Sequence, residues 1–361
     1  MLAYRTRGIV VALVSIVCSS PDATLLRSLQ QTGKHNSIII AWKACGTALI
    51  QLAFGVYQEE SPGTMLRKAR EAWPWMICGA ISLSFAWLAT VANMTSTSAS
   101  ALALFYIAPL WAMPMGMLVN RDPLRMRTLV AMAVAFVGIC FIFAPNLLSA
   151  ASAPAHSTRI NPGHKHQHQN TNTLSGDVCG LISGIAFAVW ITTCRHASLR
   201  KPETPLALCG ALGTVLVMIP AIVMAVWRGE RLFDVSARFV VLVLLDCASV
   251  AAYNIGTMIA SRYLQSAELG LYLTLDVVFA PLLVWLVHAE LPTSAVLLGG
   301  MLLVLALIAH EAIVLVVPDA PAAMVHSIDS MGGKLKFSDV NLAALTDENA
   351  TLLKSHDNDD G

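Results

Sequence analysis

Ten long apolar runs, separated by short polar breaks, set the pattern of this chain. They cover Gly8–Leu26, Ile38–Tyr57, Trp73–Asn93, Ala99–Val119, Thr128–Pro145, Leu174–Cys194, Pro205–Trp227, Phe239–Tyr263, Ala267–His288 and Ala295–Val317. A helix needs roughly 20 apolar residues to cross a bilayer. The runs are too continuous for barrel strands, which alternate over about ten residues. Helices are also the only open structures that satisfy every backbone group in lipid. The pattern predicts an all-α polytopic membrane protein with ten transmembrane helices. The first run follows Arg5 and Arg7 and meets the small residues "VCSS", as a signal peptide would. It continues through Pro21 and Asp22 to Leu26, so it is read as a retained helix.

Two polar stretches interrupt the pattern. Residues 147–173 form a linker of small and polar residues containing "HKHQHQ", and 318–361 form a mixed-charge tail read as mostly disordered. With the N-terminus cytoplasmic, twelve Lys and Arg residues fall on the inner side before the tail and seven, including Arg27 and Lys34, on the outer side. The positive-inside bias puts both termini in the cytoplasm. The plasma membrane is the default location.

Composition agrees with a lipid solvent. Of 361 residues, 56% are hydrophobic and 12% charged, with mean hydropathy +0.66, where soluble domains carry about 25% charged residues. A net charge of +1 argues against a nucleic-acid partner. The eight cysteines lie in or beside apolar runs without a C-x-x-C pair and read as small hydrophobes. His164, His166 and His168 have no rigid scaffold and no accompanying Cys or carboxylate, so neither a metal nor a cofactor is expected. The sequons at Asn93 and Asn349 fall against the membrane and in the cytoplasmic tail.

The linker divides the runs into two sets of five. Each set opens on glycine, an apolar run and an arginine. Aligning Gly8 with Gly176 puts Ser15 on Ser183, Thr24 on Thr192 and Arg27 on Arg195. Each set also carries an Ala-Pro-Leu helix, "YIAPLWAMPMGML" and "VVFAPLLVWLVHAE". Five spans is an odd number, so the second unit enters the membrane upside down. Inverted repeats place a solute path at their interface near the midplane.

These features resemble the drug/metabolite transporter superfamily, particularly its EamA-like family. The likeness is carried by "SSPDATLLR", "YIAPLWAMPMGML", "SGDVCGLISGIAFAVWI" and "VVFAPLLVWLVHAELPTSAVLLGGMLLVLALI", and spans residues 8–317. Glu290, Leu291, Pro292 and Gly299 match the family's break and following glycine. The first break, "VNRDPLR", lacks the glutamate, and Lys43 stands where many relatives carry arginine. The resemblance implies EamA-like repeats at 1–146 and 174–317. It also implies transport of a small organic solute; such families move amino acids, drugs, sugars and nucleotide sugars.

Charges inside the membrane are costly and become functional candidates by default. Asp276 is tenth of 22 residues in its run, near the midplane, and is expected to serve as a cation or proton site or to fix two helices. Lys43 and Asp246 lie several residues below the outer ends of their runs. They form a pair or, with Arg27, line an outward vestibule; the competing reading for Lys43 is snorkelling. Asp22 follows Pro21, where a proline frees polar backbone at a place transporters use to bind ligand, or simply ends the first helix before the outer loop, the reading preferred. Tyr106, Trp190, Asn254 and Tyr272 are deep enough to touch substrate. Pro109 and Pro281 are expected to bend spans four and nine symmetrically as hinges. Gly180 and Gly184 permit close helix packing, within the bundle or in a homodimer.

The sequence thus points to a secondary transporter working by alternating access, with a proton or another ion as coupling partner, and not to an enzyme. A membrane-embedded enzyme would need clustered catalytic groups, and only His288 and Glu290 approach that. A non-transporting assembly factor is the other alternative; neither explains two inverted halves. No nucleotide-binding loop supports an ATP-driven pump.

Overall fold

The computed structural model describes residues 2–59, 61–88, 104–123, 125–152, 173–288 and 293–316. Every regular element among them is helical. They are α1 (Leu2–Ser19), α2 (Pro21–Gln30), α3 (Asn36–Glu59), α4 (Pro62–Glu71), α5 (Trp73–Ala86), α6 (Ala108–Met115), α7 (Met126–Ser152), α8 (Thr173–Arg200), α9 (Leu206–Trp227), α10 (Ala237–Ala260), α11 (Ser266–Leu273), α12 (Asp276–His288) and α13 (Ser294–Val316). A π-helical turn, Gly116–Asn120, follows α6 and is closed by Arg121 in the left-handed region at φ 56°. Residues 1–312 make one compact unit; of the second, 313–361, only residues 313–316 are described. The expected linker begins later than residue 147, since α7 runs on to Ser152; residues 153–172 with the histidines, Glu290 and both sequons lie outside the described residues.

Eight helical spans are long and apolar enough to cross a membrane: Arg5–Gln30, Asn36–Glu59, Met126–Ala144, Gly176–Arg200, Leu206–Trp227, Ala237–Ala260, Ser266–Val287 and Ser294–Ile313. Two further apolar helices, Trp73–Ala86 and Leu104–Asn120, are shorter. Polarity is inside out relative to a soluble protein. On α9 the row Leu212, Leu216, Ile219 and Val223 is exposed, whereas Lys43, Thr47 and Gln51, one turn apart on α3, are buried. Such a surface suits hydrocarbon, so the chain is a multi-pass membrane protein.

Helix pairing follows a regular scheme. α3 packs along α9, and α6 against α11. α1 packs on α10 as α8 packs on α5, and α3 on α10 as α9 on α5. The last two contacts share one detail. Cys247 donates its thiol to the Lys43 carbonyl at 3.3 Å beside Gly46. Cys209 donates to the Met76 carbonyl at 3.4 Å beside Gly79. In each case a cysteine faces a glycine that lacks the Cβ otherwise keeping the helices apart.

Two spans and one of the shorter apolar helices are interrupted. The first changes helix at Ser20, where Pro21 opens α2 without an amide donor. α1 ends at Ser19, but no loop follows as Pro21 and Asp22 suggested: the span continues as α2 to Gln30, because proline is tolerated at a first turn. The shorter stretch Leu104–Asn120 turns at Ile107, near its described start, with Pro109 in the first turn of α6. The ninth turns at Thr274 and Leu275, and α12 starts at Asp276. The breaks are therefore not symmetric about the two prolines: Pro109 sits beside its break, whereas Pro281 lies inside continuous helix.

Candidate solute and ion pathway

Asp276 stands at the head of α12, eleventh of the 22 residues in Ser266–Val287, about 15 Å from the span's start at 1.5 Å per residue. A carboxylate at a helix N-terminus is favoured by the helix dipole. It accepts a hydrogen bond from Ser19 Oγ at 2.9 Å, at the break in the first span. Tyr106 Oη, at the break in the shorter stretch, donates to its other oxygen at 3.4 Å. Among the described residues no Lys, Arg or His lies within ion-pair distance of Asp276. Three interrupted segments thus converge on one carboxylate.

One turn further along the first span, Asp22 binds the ammonium of Lys43. The same ammonium lies 3.1 Å from Asp246 Oδ2 and 6.0 Å from the centroid of Trp87. Lys43 is 1% exposed and Asp246 0%, so Lys43 does not snorkel. Its stem turns inward because two carboxylates there satisfy a charge that hydrocarbon would not. Asp246 Oδ1 finds no donor among the described residues. Below Lys43, both amide atoms of Gln51 are buried with no hydrogen-bond partner among the described residues, as are Asn254 Nδ2 and Thr257 Oγ1 on α10. Gln51 of α3 and Met258 of α10 both face Gly210 of α9. A polar stripe therefore continues along the α3–α10 contact.

The other end of the bundle is tied by a second charge network. Arg5 forms a two-pronged pair with Glu311 at 2.6 and 2.8 Å and lies 3.7 Å from Glu268. Glu268, 2% exposed, also pairs with Arg125 at 3.2 Å. His310 is buried between Glu311, at 3.0 Å, and Thr128, at 3.2 Å. Tyr272 donates to Glu311. Nearby, Asp122 faces Arg195 at 4.0 Å and accepts from the Ser266 amide at 3.4 Å. Burial holds the Asp122 carboxyl above its ordinary range despite that arginine. These bonds connect segments from before and after the linker.

Of the residues singled out in the sequence, Asp276 and Tyr106 meet at one point, and Lys43 and Asp246 at another. Tyr272 instead belongs to the Arg5 network, and Arg27 is exposed in the last turn of α2. Trp190 is fully buried beside Gly79, and Asn254 is 3% exposed. Gly184 abuts the Leu104 and Phe105 backbone, so this glycine serves packing within the chain. Asp22 was singled out, but not as the partner of Lys43. Glu268, His310 and Glu311 escaped the sequence reading, although each is an ionisable residue inside or at the edge of an apolar run. That signal had already singled out Asp276.

Residues 6–144 match the EamA-like transporter family, whose members are membrane transporters of small molecules. No curated protein matches the chain. Among solved structures 25 chains resemble it. One crystal structure is similar with a TM-score of 0.62 at 15% identity, covering 84% of this chain and 96% of that one. At that identity the likeness speaks for the fold alone.

Proposed function

We propose that this multi-pass membrane protein, with its EamA-like segment at residues 6–144, is a secondary transporter of small organic solutes. It works by alternating access between two inverted five-helix halves, 1–146 and 174–317, joined by the linker between α7 and α8. The two short apolar helices complete a set of ten spans. Both termini, with the 318–361 tail, are cytoplasmic.

The observation that carries this reading is the convergence of three interrupted segments on Asp276. Broken helices at membrane depth expose backbone and side-chain polar groups where a solute or ion can use them. The mirrored helix pairs, and the two cysteine–glycine contacts within them, support the inverted halves. The Arg5–Glu311–Glu268 network supports closure at one end. Asp22, 33% exposed in its side chain, and the partly accessible Asp276 support a crevice toward the other.

The ions and solute use the following groups. Asp276, held by the Ser19 and Tyr106 hydroxyls, takes up and releases the coupling proton or cation. Asp22, Lys43 and Asp246 form a fixed cluster beside it. Opening the Arg5 end separates Arg5 and Arg125 from Glu268 and Glu311. Pro109, at the break in span four, is the hinge this geometry favours; Pro281 stiffens α12.

The test is metabolite accumulation in cells making the protein or its Asp276→Asn variant, at two external pH values. A solute gradient that depends on pH in the wild type and loses that dependence in the variant is expected. Transport unchanged by both pH and substitution would remove Asp276 from the mechanism.

A further inference from the structure

Five buried polar atoms on three helices find no hydrogen-bond partner among the described residues. They are Gln51 Oε1 and Nε2 on α3, Asn254 Nδ2 and Thr257 Oγ1 on α10, and Trp190 Nε1 on α8. Gln51, Thr257 and Trp190 are 0% exposed and Asn254 is 3% exposed. A buried amide or indole N–H left without a hydrogen bond is costly, and folded proteins leave few of them so.

The helices bring these atoms to one level. α3 and α10 run side by side in the same direction. Trp42 meets Phe239 at 6.3 Å between centroids, the Lys43 carbonyl accepts from the Cys247 thiol at 3.3 Å, and Gln51 and Met258 both face Gly210 of α9. Asn254 lies one turn before Met258 on the same face of α10, and Thr257 is its neighbour. α8 runs alongside α10 as well: Phe187 stacks on Tyr253 at 6.2 Å, and Arg195 donates to the Ser261 carbonyl at 3.2 Å. Trp190 therefore stands level with Gly256 and Thr257. Its benzene edge lies against Gly79, as does Cys209, the residue before Gly210. The indole nitrogen is on the opposite edge of that ring, away from α5.

The mix of donors and acceptors selects the occupant. Trp190 Nε1, Asn254 Nδ2 and Gln51 Nε2 only donate, Gln51 Oε1 only accepts, and the Thr257 hydroxyl does either. A cation would leave three nitrogen donors unmet. An anion would leave Gln51 Oε1 unmet. It would also lie two turns along α3 from Lys43, whose one ammonium is already shared between Asp22 and Asp246, so surplus negative charge would repel it. Water both donates and accepts, and a buried water makes about three hydrogen bonds. We propose that this layer is a buried water site held by Gln51, Asn254, Thr257 and Trp190. Trp190 and Asn254, which their depth in the sequence offered as substrate contacts, are then partners of bound water. The site does not rest on the transporter reading.

The test is X-ray radiolytic footprinting of the purified full-length protein in detergent. Short pulses turn water into hydroxyl radicals where it stands, and mass spectrometry reads oxidation at each side chain. Met258 is a reactive reporter in the layer and only 3% exposed, so radicals from bulk solvent do not reach it. Met65, 2% exposed and packed against Gly55, is the equally buried standard. Met258 should be oxidised well above Met65. In the double variant Gln51→Leu with Asn254→Leu that excess should be lost, with Met258 falling to the level of Met65. The contrast between the two methionines in the wild type keeps the test decisive even if the double variant does not fold. Oxidation of Met258 no faster than that of Met65, or unchanged in a folded double variant, would overturn the proposal. So would a wild-type unfolding midpoint that shifts when sodium is replaced by choline, or chloride by gluconate, while that of Gln51→Leu does not, since the occupant would then be an ion.

Discussion

Replacing Lys43 with methionine keeps most of the stem volume and removes the charge. In the folded protein this leaves Asp22 and Asp246 facing the vacated position, with Asp246 fully buried. Removing one partner of a buried ion pair costs about 3–5 kcal/mol, because the remaining charge stays desolvated. That corresponds to roughly a hundredfold to several-thousandfold loss in the folded-to-unfolded ratio, at about 1.4 kcal/mol per tenfold. A matched control is Lys34→Met, whose pair with Asp234 spans 3.8 Å at a site where Asp234 is 74% exposed. Exposed pairs of that kind contribute about 0–1 kcal/mol. The assay is unfolding of the purified protein in mixed micelles titrated with sodium dodecyl sulfate, comparing midpoints at constant slope. The double variant Lys43→Met with Asp246→Leu should recover at least about 1 kcal/mol of the single loss, since neighbours in one network couple by 0.5–3 kcal/mol. If Lys43→Met were no more destabilising than Lys34→Met, the cluster would not exist as described.

Other consequences follow from the same contacts. Glu268→Gln leaves Arg5 and Arg125 without their shared carboxylate and should lower the unfolding midpoint clearly more than Glu59→Gln, since Glu268 is 2% exposed and the partly buried Glu59 and Lys68 retain access to water. Lys68 is held above its ordinary value mainly by its hydrogen bond to Glu59, so that pair's contribution fades only as alkaline pH passes the folded value; a titration of the Glu59→Gln midpoint against wild type reads this. Asp122 is shifted upward by burial, so the folded state holds a proton that the unfolded state has released. Its contribution to stability therefore falls as pH rises from the ordinary value of 3.8 toward neutrality, and Asp122→Asn should remove that decline from the wild-type-minus-variant curve. At Gly184 an added methyl would sit 2.7 Å from the Leu104 carbonyl; Gly184→Ala should cost about 1–3 kcal/mol by overpacking, and an unchanged midpoint would show that the two helices are not in contact.

The spans were legible because hydrocarbon demands long apolar runs, and run length survives without knowledge of packing. Break positions were less so. Pro21 was visible, but a proline ends a helix or opens the next one with the same local chemistry, and only the Asp22–Lys43 bond shows which. Pro109 and Pro281 look equivalent in sequence, yet Pro109 adjoins a break and Pro281 does not, since Thr274 and Leu275 interrupt the ninth span before α12. Depth of charge singled out Asp276, Lys43 and Asp246. Who pairs with whom depends on helix azimuth and on contacts across two hundred residues, such as Lys43 with Asp246, which no local pattern encodes. The Arg5 network was missed for that reason: Glu268 lies at the end of its run, where a charge ordinarily meets water, and Glu311, six residues inside its run, has its partner Arg5 at the far end of the chain.

Alternating access is the central claim, and side-specific labelling tests it most directly. Ser19, whose hydroxyl bonds Asp276 at 2.9 Å, is replaced by cysteine in a protein whose eight native cysteines are substituted. A membrane-impermeant thiol reagent is then applied to sealed vesicles of either orientation. Labelling from both sides is expected, with a cross-link between cysteines at Arg5 and Glu311 abolishing labelling from that end and sparing the other. Labelling from one side only, indifferent to the cross-link, would contradict a path that opens alternately through Asp276.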